Sequence, residues 1–246
     1  MRRLVIAALV VAAFGAFTGS AVASSSNSGG VIYDSTPLPL PGNIPSLGPE
    51  AYAFGSLGDE ITFANGPRTL KNVVVTLSSW ACQQGTWSDK NCVTKPGASF
   101  SQPITLTIWN ADRTQQLASS TKTFSVRYRP SADPSHCPLG NAGKWYDAAS
   151  KTCFNGLATD VAFDFAGNVT LPNTVVYELS YNTRDYGKSP LHVAGPYDSL
   201  NIGITDGPSV GSTDAQAWTD GAVNAGADFA GTPAVQFNAA RLWKVN

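Results

Sequence analysis

The chain has 246 residues, of which 13% are charged, and a formal net charge of −1. No basic cluster stands out, and phosphate contacts need clustered Lys and Arg, so nucleic-acid binding has no electrostatic support. Gly, Ser, Thr, Asn and Pro are frequent, the composition of a turn-rich β protein with weakly charged faces.

The first residues read as a secretory signal. Arg2 and Arg3 give a basic start, Leu4 to Phe17 is apolar, and Ala21-Val22-Ala23 is a small-x-small cleavage site. The apolar run falls short of the roughly 20 residues of a membrane span. Removing residues 1–23 would leave 223 residues, enough for one all-β domain, and would take the charge from −1 to −3. No membrane association is expected after cleavage. Residues 24–46 read as a flexible Ser/Gly leader followed by a Pro-rich segment, and residues 47–246 as a single domain. Val31 to Tyr33 is a first edge-strand candidate, and STPLPLPGNIP is a packed connector kept out of a central strand by its prolines.

From Ala51 onward the apolar residues alternate. AYAFG and EITF are short strand candidates. Val73, Val75 and Leu77 share one face of LKNVVVTLSS, and Ile104, Leu106 and Ile108 share one face of ITLTIW. The same period runs through Phe124, Val126 and Tyr128; through Leu157, Val161 and Phe163; through Val175, Tyr177 and Leu179; and through Leu200, Ile202 and Ile204. AVQFNA is expected to close a sheet edge, and residues 207–231 to form a long surface loop. Such strands without intervening helices predict an all-β fold: an antiparallel, jelly-roll-like β-sandwich. A closed barrel is the alternative.

The four cysteines, Cys82, Cys92, Cys137 and Cys153, all lie in the part read as exported. An even number in an oxidising compartment implies disulfides. Three connectivities are open. The local pairs Cys82–Cys92 and Cys137–Cys153 are favoured because each bounds a polar loop. A zinc site is disfavoured, since neither spacing suits one and His136 is the only nearby histidine.

Long connections (80–103, 129–156 and 183–198) alternate with short ones near 110–116 and 166–173. If successive strands run antiparallel, the three long loops share one end. They carry Trp87, then Trp145 and Tyr146, then Tyr186 and Tyr197. Rings among polar side chains suit a carbohydrate, so these five residues are the candidate ligand-binding set. The bland alternative is that they fill small cores beneath the loops.

Catalytic chemistry finds little support. Gly207 to Gly211 matches G-x-S-x-G, but no histidine follows Ser209, and in a chain with 23 glycines the match carries little weight. Asp160, Asp164 and Glu178 are the acids of a glycosidase alternative. A structural Ca²⁺ on Asp59 and Glu60, or on Asp198 and Asp206, stays open; no cofactor is otherwise expected.

The stretches YAFGSLGDEITFANGPRTLKNVVVTLSSW, ITLTIWN and LPNTVVYELSYNT, the last with Leu171, Asn173, Thr174 and Tyr177, resemble the secreted bacterial β-sandwich domains of choice-of-anchor type. The loops containing YRPSADPSHC and GKWYD resemble a narrower set of uncharacterised exported proteins of actinobacterial type. The resemblance implies a sandwich fold and export, and it carries no catalytic residues. The expectation is therefore a secreted, non-catalytic sandwich, extracellular or loosely wall-associated, that binds a glycan or cell-surface component. A structural or adhesive role and a carbohydrate-active hydrolase are the alternatives.

Overall fold

A computed structural model describes residues 30–52, 54–167, 169–181, 200–223 and 229–240. Residues 1–29, which include the segment read as a secretory signal, and residues 182–199, which include Tyr186 and Tyr197, lie outside the described residues. In chain order the strands are β1 (Val31–Asp34), β2 (Ser46–Leu47), β3 (Ser56–Thr62), β4 (Thr69–Ser79), β5 (Ser99–Asn110), β6 (Gln116–Arg127), β7 (Trp145–Asp147) and β8 (Thr152–Phe154). They continue as β9 (Leu157–Asp164), β10 (Thr174–Ser180), β11 (Leu200–Thr205), β12 (Ser212–Thr213), β13 (Trp218–Thr219), β14 (Ala222–Val223), β15 (Thr232–Pro233) and β16 (Val235–Ala240).

Every strand pair is antiparallel. In the first sheet the longer strands run β1-β16-β4-β9, with β11 sharing the β16 edge of β4. In the second they run β3-β10-β5-β6, with β12 and β13 added outside β3. The chain therefore crosses between sheets after β2, β3, β4, β6, β9, β10, β11 and β14, so sequence neighbours end up on facing layers. This order is compatible with the jelly-roll expectation.

Alternation explains the packing. Val73, Val75 and Leu77 of β4 point inward and are fully buried, as are Phe163, Phe237, Ile61, Leu106, Ile108 and Tyr177. Phe237 meets Tyr177 of the opposite sheet at 5.5 Å, and Phe163 meets Phe124 edge-to-face at 4.9 Å. Such pairs add roughly 1 kcal/mol each beyond the area they bury.

The outer face of β4 is covered as well. Ser78 Oγ donates to Asn43 Oδ1 at 2.6 Å, and Ala158 N donates to Gly42 O at 3.0 Å. The Pro-rich connector thus lies over the first sheet. Gly203 makes this approach feasible: Ile44 occupies the space that a Cβ there would need.

Four expectations change. The domain begins by residue 31 rather than 47, because β1 pairs with β16 and Tyr33 is fully buried. The described residues of AYAFG form no strand; Pro49–Tyr52 is a short helix. AVQFNA is interior, flanked by β1 and β4. Within 207–231, β12 to β14 extend the second sheet, and Asp220 Oδ1 ties them back by accepting from Gly55 N and Ser56 N.

Candidate functional site

Two disulfides, Cys82–Cys92 and Cys137–Cys153, close loops of sequence separation 10 and 16. Both loops leave the same end of the sheets, because β4 and β6 finish there while β5 and β9 begin there. They are stitched together. Arg129 N donates to Ala81 O at 3.0 Å, Ala132 N to Cys92 O at 3.0 Å, and Thr94 N to Ser131 Oγ at 2.9 Å. The expected clustering of the first two long loops is therefore present; the third loop lies outside the described residues.

Between these loops lies a cleft of about 500 Å³. Residues 94–98 form one wall. Residues 130–134 with Trp145 and Tyr146 form another, and Arg127, Tyr128 and Leu157 complete the lining.

The candidate rings have distinct environments. Tyr146 lines the cleft half-buried, with one face stacked on His136 at 4.5 Å. Trp145 also lines it but is only 6% exposed. Its Nε1 donates to Gly156 O at 2.7 Å and its ring packs on Phe154, so most of Trp145 fills a small core beneath the loop. Trp87 is not in the lining. It meets Trp80 edge-to-face at 4.8 Å, and Trp80 is fixed by donating to Ser78 Oγ at 3.0 Å. Tyr186 and Tyr197 lie outside the described residues.

The polar groups of the cleft were not candidates in the sequence. Tyr128 is 4% exposed, its Oη has no partner, and burial pushes its phenol up to about 12. Asp133 is engaged by its own loop. Its Oδ1 accepts from Ser135 N and Oγ and from His136 N, while His136 Nδ1 lies 2.8 Å from Oδ2. The Ser135 hydroxyl and then His136 hold this carboxyl well below the usual carboxylate range. Behind the wall, Arg129 is fully buried. The alternation of β6 gave no warning of this, because the chain leaves the strand at Arg127 and turns Arg129 beneath the second loop.

The hydrolase arrangements do not assemble. Ser209 Oγ donates to the Asp34 carbonyl at 3.2 Å. Ser135 and Asp133 both meet the same nitrogen, Nδ1, of His136, whereas a relay needs both ring nitrogens. Asp160 and Asp164 lie on the outer face of the first sheet, and Asp160 Oδ1 accepts from Thr76 Oγ1 at 2.7 Å. Glu178 lies on the outer face of the second sheet, where Trp109 Nε1, Arg113 and Ser56 Oγ surround it. The sandwich separates these acids.

The Asp59–Glu60 calcium pair forms no site among the described residues. No group of three His, Cys, Asp or Glu side chains there is arranged to hold a metal ion. Asp59 points into the core, where burial lifts its carboxyl to about 7, and adjacent Glu60 points away from it. Asp198 lies outside the described residues. No helix among the described residues is long and apolar enough to cross a membrane. Comparisons with family models, with curated proteins and with solved structures find no match.

Proposed function

We propose that this is a secreted, non-catalytic protein that binds a glycan of a cell surface in the cleft between its two disulfide-bounded loops. The observation that carries this reading is the pairing of Tyr146, backed by His136, with a concave polar and apolar lining at the loop end. A ring fixed from behind can present its other face to sugar C–H groups at little entropic cost, while nearby donors meet hydroxyls. Rigid support comes from the sheets below and from the two disulfides.

Export is part of the proposal. It draws on the basic, apolar and small-residue order of the first 23 residues and on the pairing of every cysteine. N-terminal sequencing of the exported chain checks it, with Ser24 the expected first residue. A glycan array probed with wild type and with Tyr146→Ala tests the binding role. Binding by wild type that drops by about tenfold in the variant supports the reading, since one well-placed aromatic contact is worth about 1 kcal/mol or more. No retained glycan, or equal retention by both proteins, contradicts it and leaves a structural or adhesive role as the better account.

A further inference from the structure

The polar groups left unengaged in the cleft are of one kind. Lys95 and Arg127 line it and are exposed, and neither is paired with a carboxylate among the described residues. Tyr128 also borders the cleft, but its ring packs on Phe100 and its hydroxyl is buried, so it offers no donor there. The single carboxylate in the lining, Asp133, already accepts from Ser135 and His136.

A second observation points the same way. Arg129, next to Tyr128, is 0% exposed and forms no ion pair among the described residues. Its Nη2 donates to the Gly143 carbonyl at 2.6 Å, while Nη1 has no partner. Desolvation lowers its pKa only to about 10, so the guanidinium is charged at neutral pH. A buried cation without a counter-charge is costly, and its field is poorly screened by the surrounding protein. Lys95, Arg127 and Arg129 together give the cleft a positive potential that a neutral ligand would not use. Pro96, Pro130, Pro134, Tyr146 and Leu157 supply the apolar surface for a ring face.

Building on the glycan reading above, we propose that the ligand is an acidic sugar, a uronate whose carboxylate is held by Lys95 and Arg127 while its ring lies against the Tyr146 wall. The planar fork of Arg127 suits a carboxylate, and charge-assisted hydrogen bonds are about twice as strong as neutral ones. Lys95 adds a second positive charge to the rim.

Calorimetric titration of the disulfide-intact chain with an oligogalacturonate, and with the same oligomer after reduction of its carboxyls, tests this. The acidic oligomer is expected to bind about tenfold tighter, with the advantage shrinking as salt rises from about 50 to about 300 mM. Lys95→Gln and Arg127→Gln should each lose about tenfold for the acidic oligomer and stay within about twofold for the neutral one. Both side chains are exposed, so thermal melts of these variants should match wild type. Equal affinity for the two oligomers overturns the acidic-sugar assignment and leaves the glycan reading standing. So does undiminished binding of the acidic oligomer by both variants. Failure of both oligomers and of every glycan on the array overturns both.

Discussion

The Arg129 guanidinium donates to the Gly143 carbonyl at 2.6 Å, joining the exit of β6 to the second disulfide-bounded loop. Through Arg129 N and the Ala81 carbonyl, the same residue also holds the start of the first loop. One fully buried side chain and its backbone therefore tie both loops to the exit of β6. Arg129→Ala should remove the side-chain part of this support and leave a cavity, costing about 3 kcal/mol. Urea unfolding checks the cost, and amide exchange should rise in both loops before it rises in the sheets. Wild-type exchange in the loops would argue that the disulfides alone hold them.

Asp59 makes stability depend on pH. The residue is 0% exposed, Thr213 Oγ1 donates to its Oδ2 at 2.7 Å, and Oδ1 has no partner. Desolvation raises its pKa from 3.8 to about 7 despite hydrogen bonds that oppose the shift. The folded state thus binds this proton more tightly than the unfolded chain does. The stabilisation is full below the unfolded value and is lost as pH rises through the folded one, so it declines between about pH 4 and pH 7. A shift of this size corresponds to several kcal/mol at most, about 1.4 kcal/mol for each pKa unit. Asp59→Asn should flatten that decline in urea titrations run across this range. An unchanged pH profile in the variant would assign the dependence to another group.

Each disulfide should contribute about 3 kcal/mol, given the length of loop that it closes. Replacing Cys82 and Cys92 by Ser, or Cys137 and Cys153 by Ser, should lower the urea midpoint while far-ultraviolet circular dichroism keeps its β signature, because the sheet core contains neither loop. Loss of the β signature in either double variant would show that a loop is needed for the sheets to form.

Trp87 and Tyr146 should separate stability from binding. Trp87→Ala removes the edge-to-face partner of Trp80 and should cost about 1 kcal/mol of stability while changing glycan affinity by no more than about twofold. Tyr146→Ala touches the cleft itself and should do the reverse. Chemical denaturation and calorimetry on the two variants read both quantities. The opposite pattern would move the site from the cleft to the Trp80–Trp87 face.

The core was legible wherever one face of a strand is apolar over several residues. Val73, Val75 and Leu77, or Val175, Tyr177 and Leu179, announce their inward direction through a period of two. The additions beside β3 were not legible: two-residue strands such as Ser212–Thr213 and Trp218–Thr219 are too short to show any period. Helix Pro49–Tyr52 hid because a four-residue turn has no amphipathic stripe. Local sequence does not encode partners either, which is why the interior position of Val235–Ala240 emerged only from its pairing. Spacing did indicate the local disulfides and the common end of their loops. It could not indicate the cleft, because residues 94–98 and 130–134 line it together only when two loops distant in sequence pack side by side, or that Trp145 would be used mostly to fill the floor of its own loop.

The central claim is that ligand binds between the disulfide-bounded loops. Hydrogen exchange with mass spectrometry, on the disulfide-intact chain with and without a saturating oligogalacturonate, tests it most directly. The account predicts slower exchange in residues 94–98, 130–134 and 145–146, and no change at the opposite end around residues 111–115 and 212–223. Protection confined to that opposite end, or no protection anywhere, would contradict it.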